Sequence, residues 1–319
     1  MKRVAIICGG FSSEYDISVL SAQTIQSSLP EHFEAYLVHM NKEGWKVALE
    51  NLFVPFDENS FSFEKNGERI GLNVAIVYIH GNPGENGKIQ AFLDMKGIPY
   101  VNSGPLASEL SFDKWYCNQF LRAFDVSVAK SVYLRKADSK RSEIDKLGLP
   151  IFVKPCDSGS SYGISRVERK EDIDSAIEAA FAEGETVIVE ENLDGTEVTC
   201  GIYRSIDGIK ALPLTEIVTG NLFFDYDAKY NGESEEITPA RIDPDITKEI
   251  QELSIRIYQL MNLRSIARID YMIVNGAPHV IEVNTTPGFS VESIVPKMIE
   301  AQGISIREFW AEILEAELD

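Results

Sequence analysis

Positive charge is scarce in this chain. Its 319 residues hold 30 Lys plus Arg against 50 Asp plus Glu, a formal net charge of −20. A nucleic-acid scaffold needs cations to displace phosphate counterions, so no nucleic-acid partner is expected, and no docking on anionic lipid. A small cationic pocket for a nucleotide stays open, because net charge does not fix local fields. Cysteine is scarce too. Cys8, Cys117, Cys156 and Cys200 lie far apart with no CxxC pair. That excludes a disulfide framework and a zinc site, and points to a reducing cytoplasm. No apolar run approaches the roughly 18 residues of a membrane span. The apolar stretch after Lys2-Arg3 is short and runs into Gly9-Gly10, so no signal peptide is expected. Neither GxGxxG nor GxxxxGK[ST] occurs, which disfavours a Rossmann oxidoreductase and excludes a P-loop. Internal repeats and low-complexity tracts are absent.

What is present is an ordinary globular mixture, 44% apolar and 25% charged, which excludes a disordered or collagen-like chain. The length allows about two domains' worth of material at ~150 residues each. Over the first hundred residues, strand-like and helix-like segments alternate. Arg3 to Cys8 reads as a buried strand ending at Gly9-Gly10. Ile17, Leu20, Thr24, Ile25 and Leu29 set a helical period over Asp16 to Leu29. Strands follow at Ala35 to Met40 and Val74 to Ile79, and Gly97 closes a helix over Gly87 to Lys96. This alternation predicts βαβ crossovers and a parallel sheet.

Beyond Gly104-Pro105 the pattern predicts one apolar helix, Phe112 to Phe124, then a small α+β unit. Its strands are expected at Ser131 to Leu134, Ile151 to Lys154, Ile164 to Val167 and Thr186 to Glu190, with a helix over Glu171 to Glu183. From Thr196 onward come long strands, a polar stretch from Thr219 to Ser234, and a helix over Ile246 to Met261. Two adjacent strands follow, Ser265 to Val274 and His279 to Asn284. Three subdomains are expected, 1–104, 105–190 and 191–319.

The last strand pair carries the strongest chemical signal. Arg268 and Asp270 share one face of the first strand, and Glu282 and Asn284 share one face of the second, because residues two apart point the same way. Two carboxylates and an amide oxygen are hard donors that suit Mg²⁺ with substrate phosphates. The Asn275-Gly276 dipeptide suggests a two-residue type I′ loop. That loop would pair Val274 with Ala277 and put Asp270 and Glu282 on opposite faces. A shared metal site therefore requires an odd, three-residue loop, 274–276 or 275–277, with Gly276 left-handed and Pro278 opening the returning strand.

Other constellations are weaker singly. Lys154 ends a buried strand and is followed by the Ser/Gly-rich loop Asp157 to Gly163, a place for phosphate-binding N–H and hydroxyl donors. Glu190-Glu191-Asn192-Leu193, with Glu197 beyond, could hold an adenine edge and ribose hydroxyls. Phe223-Phe224-Asp225-Tyr226-Asp227-Ala228-Lys229-Tyr230 has the aromatic and charged make-up of a lid, expected over about 219–236. Gly9-Gly10 and His80-Gly81 both end strands of the parallel sheet, where open α/β sheets bind ligands. His32, His39 and His279 read as structural or surface residues.

Taken in order, these residues resemble the D-alanine–D-alanine ligases of the ATP-grasp superfamily, from residue 4 to about 315. The carriers are Gly9-Gly10 with Ser12 and Glu14, and His80-Gly81 with Gly84-Glu85-Asn86-Gly87 and Ile89-Gln90. Ile98-Pro99-Tyr100, Ser108 to Lys114, Lys229-Tyr230, Arg268-Ile269-Asp270 and Glu282 to Gly288 complete the set. The departures are Asn86 for a usual Asp, Ala267 for a Gly, Glu191 for a common Lys and Phe224 for a common Tyr.

The resemblance implies a three-subdomain α/β and α+β fold. A Rossmann-like N-terminal sheet supplies substrate contacts, and ATP lies between the central and C-terminal subdomains. It implies that Lys114 and Lys154 contact phosphates, with Ser160 and Ser161 in the phosphate loop. The segment Glu190, Glu191, Asn192, Leu193 meets adenine, Glu197 meets ribose, and Lys229 meets the γ-phosphate. Asp270, Glu282 and Asn284 would hold two Mg²⁺, with Mn²⁺ able to substitute. Glu14 would bind the first ammonium and join Ser160 and Tyr230 in a hydrogen-bonded group. Arg268 and the Gly288 N–H would stabilise the oxyanion, Ser293 would take the second carboxylate, and His80 would line the substrate site. The implied protein is a cytoplasmic homodimer in cell-wall precursor synthesis. The rivals are ligases that use D-lactate or D-serine as acceptor, which Tyr230 disfavours, and a non-catalytic nucleotide-binding module, which the intact Arg268, Asp270, Glu282 and Asn284 disfavour.

Overall fold

The computed structural model describes residues 2–50, 52–138, 140–159, 162–219 and 234–318. Three sheets are built in chain order. The first has eight strands in the order β6-β5-β4-β3-β2-β1-β7-β8. Its parallel part is β1 (Lys2–Gly9), β2 (Phe33–Asn41), β7 (Val74–Val77) and β8 (Tyr100–Val101), crossed by α1 (Tyr15–Ser28) and α2 (Lys88–Lys96). Gly97 closes α2 in the left-handed conformation, φ 66°, as its lack of a Cβ allows.

An antiparallel meander, unseen in the sequence pattern, extends this sheet. It comprises β3 (Gly44–Leu49), β4 (Leu52–Asp57), β5 (Ser62–Lys65) and β6 (Glu68–Gly71). Its local signal is Asn66-Gly67, both at positive φ (54° and 80°), between the paired Lys65 and Glu68. That is a type I′ hairpin turn.

The expected helix over Phe112 to Phe124 is α4 (Lys114–Ala123), and a further helix, α3 (Pro105–Phe112), precedes it. Asp113 breaks them with an extended backbone, φ −79° and ψ 109°, and its carboxylate accepts from the Tyr116 N–H. An Asp that caps the second helix cannot also continue the first.

The second sheet is antiparallel, in the order β11-β10-β12-β9. It is formed by β9 (Ser131–Arg135), β10 (Ile151–Pro155), β11 (Ser165–Val167) and β12 (Thr186–Glu191). The short α5 (Arg141–Ile144) and α6 (Ile173–Glu183) belong to this unit. Ile173, Ala176 and Ala180 of α6 pack on Val153, Val187 and Val189.

The third sheet runs β16-β15-β13-β17-β18, with β14 paired to β13. Its strands are β13 (Thr196–Ser205), β14 (Gly208–Ala211), β15 (Thr215–Thr219), β16 (Ser234–Ile237), β17 (Ile266–Val274) and β18 (Ala277–Asn284). Its helices are α7 (Pro244–Leu260), α8 (Ile294–Ala301) and α9 (Ile306–Leu318).

The β17–β18 register corrects the odd-loop expectation. Asn275 and Gly276 form a two-residue loop at φ 51° and 81°, and Val274 pairs with Ala277. Tyr271 still follows this register, opposite Val280, but Asp270 pairs with Glu282. Ile281 is the extra residue of a β-bulge, which changes the side-chain phase of all that follows. The extra residue required to align the carboxylates lies inside the ladder rather than in the turn.

One apolar core joins the ends of the chain. Phe309, Trp310, Ile313 and Leu314 of α9 cluster with Val4, Ile6 and Cys8 of β1 and with Tyr203 of β13. Glu317, only 3% exposed, receives Arg264 at 2.6 and 2.8 Å and the Ser265 N–H at 2.9 Å. Arg264 also donates to the Tyr100 carbonyl at 3.2 Å, so this cluster ties α9, β8 and the entry to β17 together. Glu317→Ala should lower unfolding stability by about 2 kcal/mol, the scale of a charged hydrogen bond lost beside groups left unpaired. A urea midpoint equal to that of the wild type would show that the cluster contributes nothing.

Candidate active site

Two cavities meet at Glu282. One, of about 190 Å³, is lined by Glu14, His80 and Glu85 of the first unit and by Arg268, Asn284, Gly288 and Ser293 of the third. The other, of about 140 Å³, lies between the second and third sheets. Its lining includes Lys114, Lys154, Glu190, Glu191, Leu193, Glu197, Asp270 and Glu282.

In the second cavity Lys154 leaves β10 and is held by Glu190 of β12 at 2.8 Å. Glu190 is itself buried and accepts from Asn118 of α4 at 2.7 Å. The Glu190 carboxylate therefore aims a lysine as well as lining the cleft. Lys114, at the start of α4, donates to the Ser158 carbonyl at 2.7 Å and so braces the Ser/Gly-rich loop. Glu191 turns to Lys130, accepting from its N–H at 2.9 Å and its ammonium at 3.0 Å. The Asn192 N–H donates to the Pro150 carbonyl at 3.3 Å. Apolar walls come from Phe152, Ile164, Met272 and Val280. A flat apolar slot with cations at one end suits a nucleoside polyphosphate.

At the junction Arg268 grips Asp270 with two parallel bonds of 2.8 and 2.7 Å. Thr199 of β13 donates to the same carboxylate at 2.5 Å, and the Asn284 amide does so at 3.2 Å. Asp270 and Glu282 are cross-strand partners, as are Arg268 and Asn284, so the bulge brings all four to one face. The donor chemistry of Asp270, Glu282 and Asn284 fits a hard divalent cation. Among the described residues no group of three His, Cys, Asp or Glu side chains is arranged to hold a metal ion by itself. With two carboxylates and one amide, such an ion needs phosphate oxygens to complete its shell.

Glu14, beside the N-terminus of α1, reaches across to the phosphate loop. A Cβ built on Gly159 would lie 2.9 Å from its carboxylate, so the two groups are in close contact. His80 is buried, with Nε2 3.3 Å from Ser21 Oγ, and burial lowers its pKa. Ser293 begins α8, and its hydroxyl lies 2.8 Å from that of Ser290 and accepts from the Ser290 N–H at 3.0 Å. A Cβ on Gly288 would approach Ser293 Oγ to 3.0 Å, so backbone and hydroxyl pack closely. Ser160, Ser161, Lys229 and Tyr230 lie outside the described residues, as does the aromatic segment Phe223 to Tyr230.

Sequence reasoning quoted Glu85 only as part of a glycine-rich motif and missed its charge state. The carboxyl is buried, accepts the Gly81 N–H at 2.6 Å, and is pushed up to about 8 by burial first and then by the Glu14 carboxylate. Asn118 and Thr199, which hold Glu190 and Asp270, carried no sequence signal. Each is a lone polar residue that only the tertiary fold places beside a carboxylate.

Comparison with known proteins agrees along the whole chain. A family model described as D-ala D-ala ligase N-terminus matches residues 3–103, and one described as D-ala D-ala ligase C-terminus matches residues 120–315. The D-alanine--D-alanine ligase of Phocaeicola vulgatus is 44% identical over 321 residues, covering 99% of each chain. That of Porphyromonas gingivalis is 45% identical over 322 residues, covering 98% of each. Among solved structures, D-alanyl-alanine synthetase A from Vibrio cholerae has a TM-score of 0.89 at 32% identity, covering 100% of this chain and 99% of that one. The VanG D-Ala:D-Ser ligase from Enterococcus faecalis has a TM-score of 0.89 at 30% identity, covering 99% of each. A Bacillus anthracis D-alanine--D-alanine ligase complexed with ATP has a TM-score of 0.80 at 26% identity, covering 100% of this chain and 98% of that one.

The Glu85 proton has a consequence for stability. Its ordinary value is 4.5 and its folded value about 8, so between these pH values the folded protein keeps a proton that the unfolded chain has released. This contribution is complete below about pH 4.5 and is lost as pH rises through about 8. Glu85→Gln, which keeps an acceptor for Gly81, should flatten the fall in melting temperature across that window. Parallel curves for the two proteins would refute the assignment.

Proposed function

Because the chain belongs to the D-alanine–D-alanine ligase family, we propose that it joins two D-alanine molecules into D-alanyl-D-alanine. The reaction is driven by ATP, proceeds through an acyl phosphate and supplies peptidoglycan precursors. The observation that carries this reading is the meeting of an apolar-walled cleft holding Lys114 and Lys154 with a polar cavity at one face bearing Arg268, Asp270, Glu282 and Asn284.

Condensing a carboxylate with an amine in water is uphill, so the carboxylate must first be activated. One D-alanine carboxylate oxygen attacks the γ-phosphorus and ADP leaves. The second D-alanine amine, having lost a proton, then attacks the acyl carbon and phosphate leaves. Phosphoryl transfer needs alignment and charge neutralisation more than covalent help. Lys154, aimed by Glu190, and Lys114 serve the phosphates, with Ser160 and Ser161 in the loop between. Glu190 to Leu193 border the adenine, Glu197 the ribose, and Lys229 the γ-phosphate. Two Mg²⁺ ions, replaceable by Mn²⁺, would sit at Asp270, Glu282 and Asn284 and neutralise the charge that builds on the transferring group. Glu14 binds the first ammonium and, with Ser160 and Tyr230, ties the lid over about 219–236 to the substrate. His80 lines the cavity, Ser293 receives the second carboxylate, and Arg268 with the Gly288 N–H stabilises the oxyanion.

The three subdomains 1–104, 105–190 and 191–319, read from the sequence pattern, and the homodimeric state, which rests on the resemblance, belong to this proposal. No helix of the described residues is long and apolar enough to cross a membrane. A cytoplasmic location is supported by four buried, unpaired cysteines, which suit a reducing compartment.

The test is phosphate release from ATP with D-alanine, L-alanine, D-lactate and D-serine, offered singly and in pairs. Release should require D-alanine and should not rise when D-lactate or D-serine is added. Faster turnover with D-serine would move the protein toward the acceptor named for the Enterococcus structure. Glu282→Ala should abolish turnover while leaving the melting temperature nearly unchanged, and residual activity within about tenfold of wild type would remove Glu282 from the metal set. Tyr230→Phe should lower the preference for D-alanine as acceptor, and an unchanged acceptor profile would exclude that hydroxyl from the substrate group.

A further inference from the structure

The four residues Thr286 to Phe289 follow β18 and contain the Gly288 N–H assigned above to the oxyanion. Two buried side chains of the first unit hold their neighbouring backbone groups. The Tyr78 hydroxyl donates to the Pro287 carbonyl at 2.8 Å. The Ser21 hydroxyl accepts from the Phe289 N–H at 3.2 Å. A third, Asn102, donates one bond to Thr286 Oγ1 at 3.1 Å and another to the Val77 carbonyl at 2.9 Å. Tyr78 and Ser21 are 1% and 0% exposed, so water cannot replace these bonds. Among the described residues, the Gly288 N–H has no protein partner.

Peptide planarity turns one of these bonds into a pointing device. The Pro287 carbonyl and the Gly288 N–H belong to the same trans peptide plane and point in opposite directions. Anchoring the carbonyl to Tyr78, on the side of the first sheet, sends the N–H to the other side. Ser21 then fixes the next plane through Phe289, so the chain cannot rotate about Gly288 despite the freedom of a glycine. The Tyr78 ring is itself fixed by edge-on contacts with Phe289 and Trp310, with ring centroids 6.1 Å apart in both cases.

We propose that Tyr78, assisted by Ser21, is a positioning residue for catalysis: its hydroxyl aims the Gly288 N–H at the carboxyl oxygen where charge develops in the transition state. The proposal rests on the ligase reading. It predicts a loss specific to the transition state, since a misdirected oxyanion donor weakens what forms during reaction and not the binding of either substrate.

Tyr78→Phe removes one oxygen and leaves the ring packing. Its kcat should fall about tenfold or more, the scale on which misplaced donors act. The KM for D-alanine and the affinity for ATP should stay within about twofold, because the nucleotide cleft shares no residue with this loop. Affinity for a phosphinate analogue of the tetrahedral intermediate should fall by the same factor as kcat/KM. Ser21→Ala should show the same split with a smaller effect. An active wild type with an unaltered kcat in Tyr78→Phe would overturn the proposal alone. So would a fall in kcat matched by an equal loss of ATP affinity, which is what general loosening produces. A wild type without D-alanine-dependent phosphate release would overturn the ligase reading, and the proposal with it.

Discussion

Ile281 has no partner across the β17–β18 hairpin, and the side-chain chemistry of the third sheet follows from that. On the turn side of the bulge Tyr271 faces Val280, and both are buried in the apolar core. Beyond it, Asp270 faces Glu282 and Arg268 faces Asn284. A tight I′ turn matches the right-handed twist of its strands but sets a register that would divide the carboxylates between two faces. The bulge keeps the favourable turn and still brings four polar side chains together.

The arrangement concentrates negative charge. Glu14, Glu85 and Glu282 line the same cavity, with Arg268 the one cationic side chain among its described lining residues. Three ionised carboxylates there would repel one another, and the buried Glu85 answers by keeping its proton. Asp270 is offset by Arg268 and by donors from Thr199 and Asn284. The cavity is thereby complementary to cations, as the proposed reaction, with its ammonium groups and divalent metal, requires. The lysines stand apart, on the nucleotide side of Glu282.

Chemistry that depends on residues close in sequence was legible in the sequence. Strand alternation put Arg268 with Asp270 and Glu282 with Asn284, and a glycine-rich strand end marked His80, which lines the polar cavity. The helix closed by Gly97 was readable from local capping chemistry. What escaped depends on contacts distant in sequence or on competing local signals. The Asn275-Gly276 turn obeyed its local preference, and the sequence pattern carried no sign that Ile281 would absorb the extra residue. Asp113 is as acceptable on a helix surface as at a cap, so the start of α4 was read one residue before its cap, and the short α3 ahead of it was not read at all. The meander β3 to β6 has short strands with mixed polar and apolar faces, which blurs any period. Tyr78 read as one more apolar residue in a buried strand, and its role lies in an oxygen that meets Pro287 more than two hundred residues later.

The packing of α9 against β1 bears on how the molecule comes into being. Trp310, Phe309 and Ile313 fill the same core as Val4, Ile6 and Cys8. On a ribosome, which releases the N-terminal part first, the parallel sheet would emerge with one face covered only in part, by Ala22, Ile25 and Leu29 of α1 and its end. It would wait for almost the entire remaining chain before Ile306 to Leu318 arrived to cover it. The first unit is therefore compact in space but not autonomous in time, and its final burial of apolar surface coincides with assembly of the seam on which the substrate cavity stands.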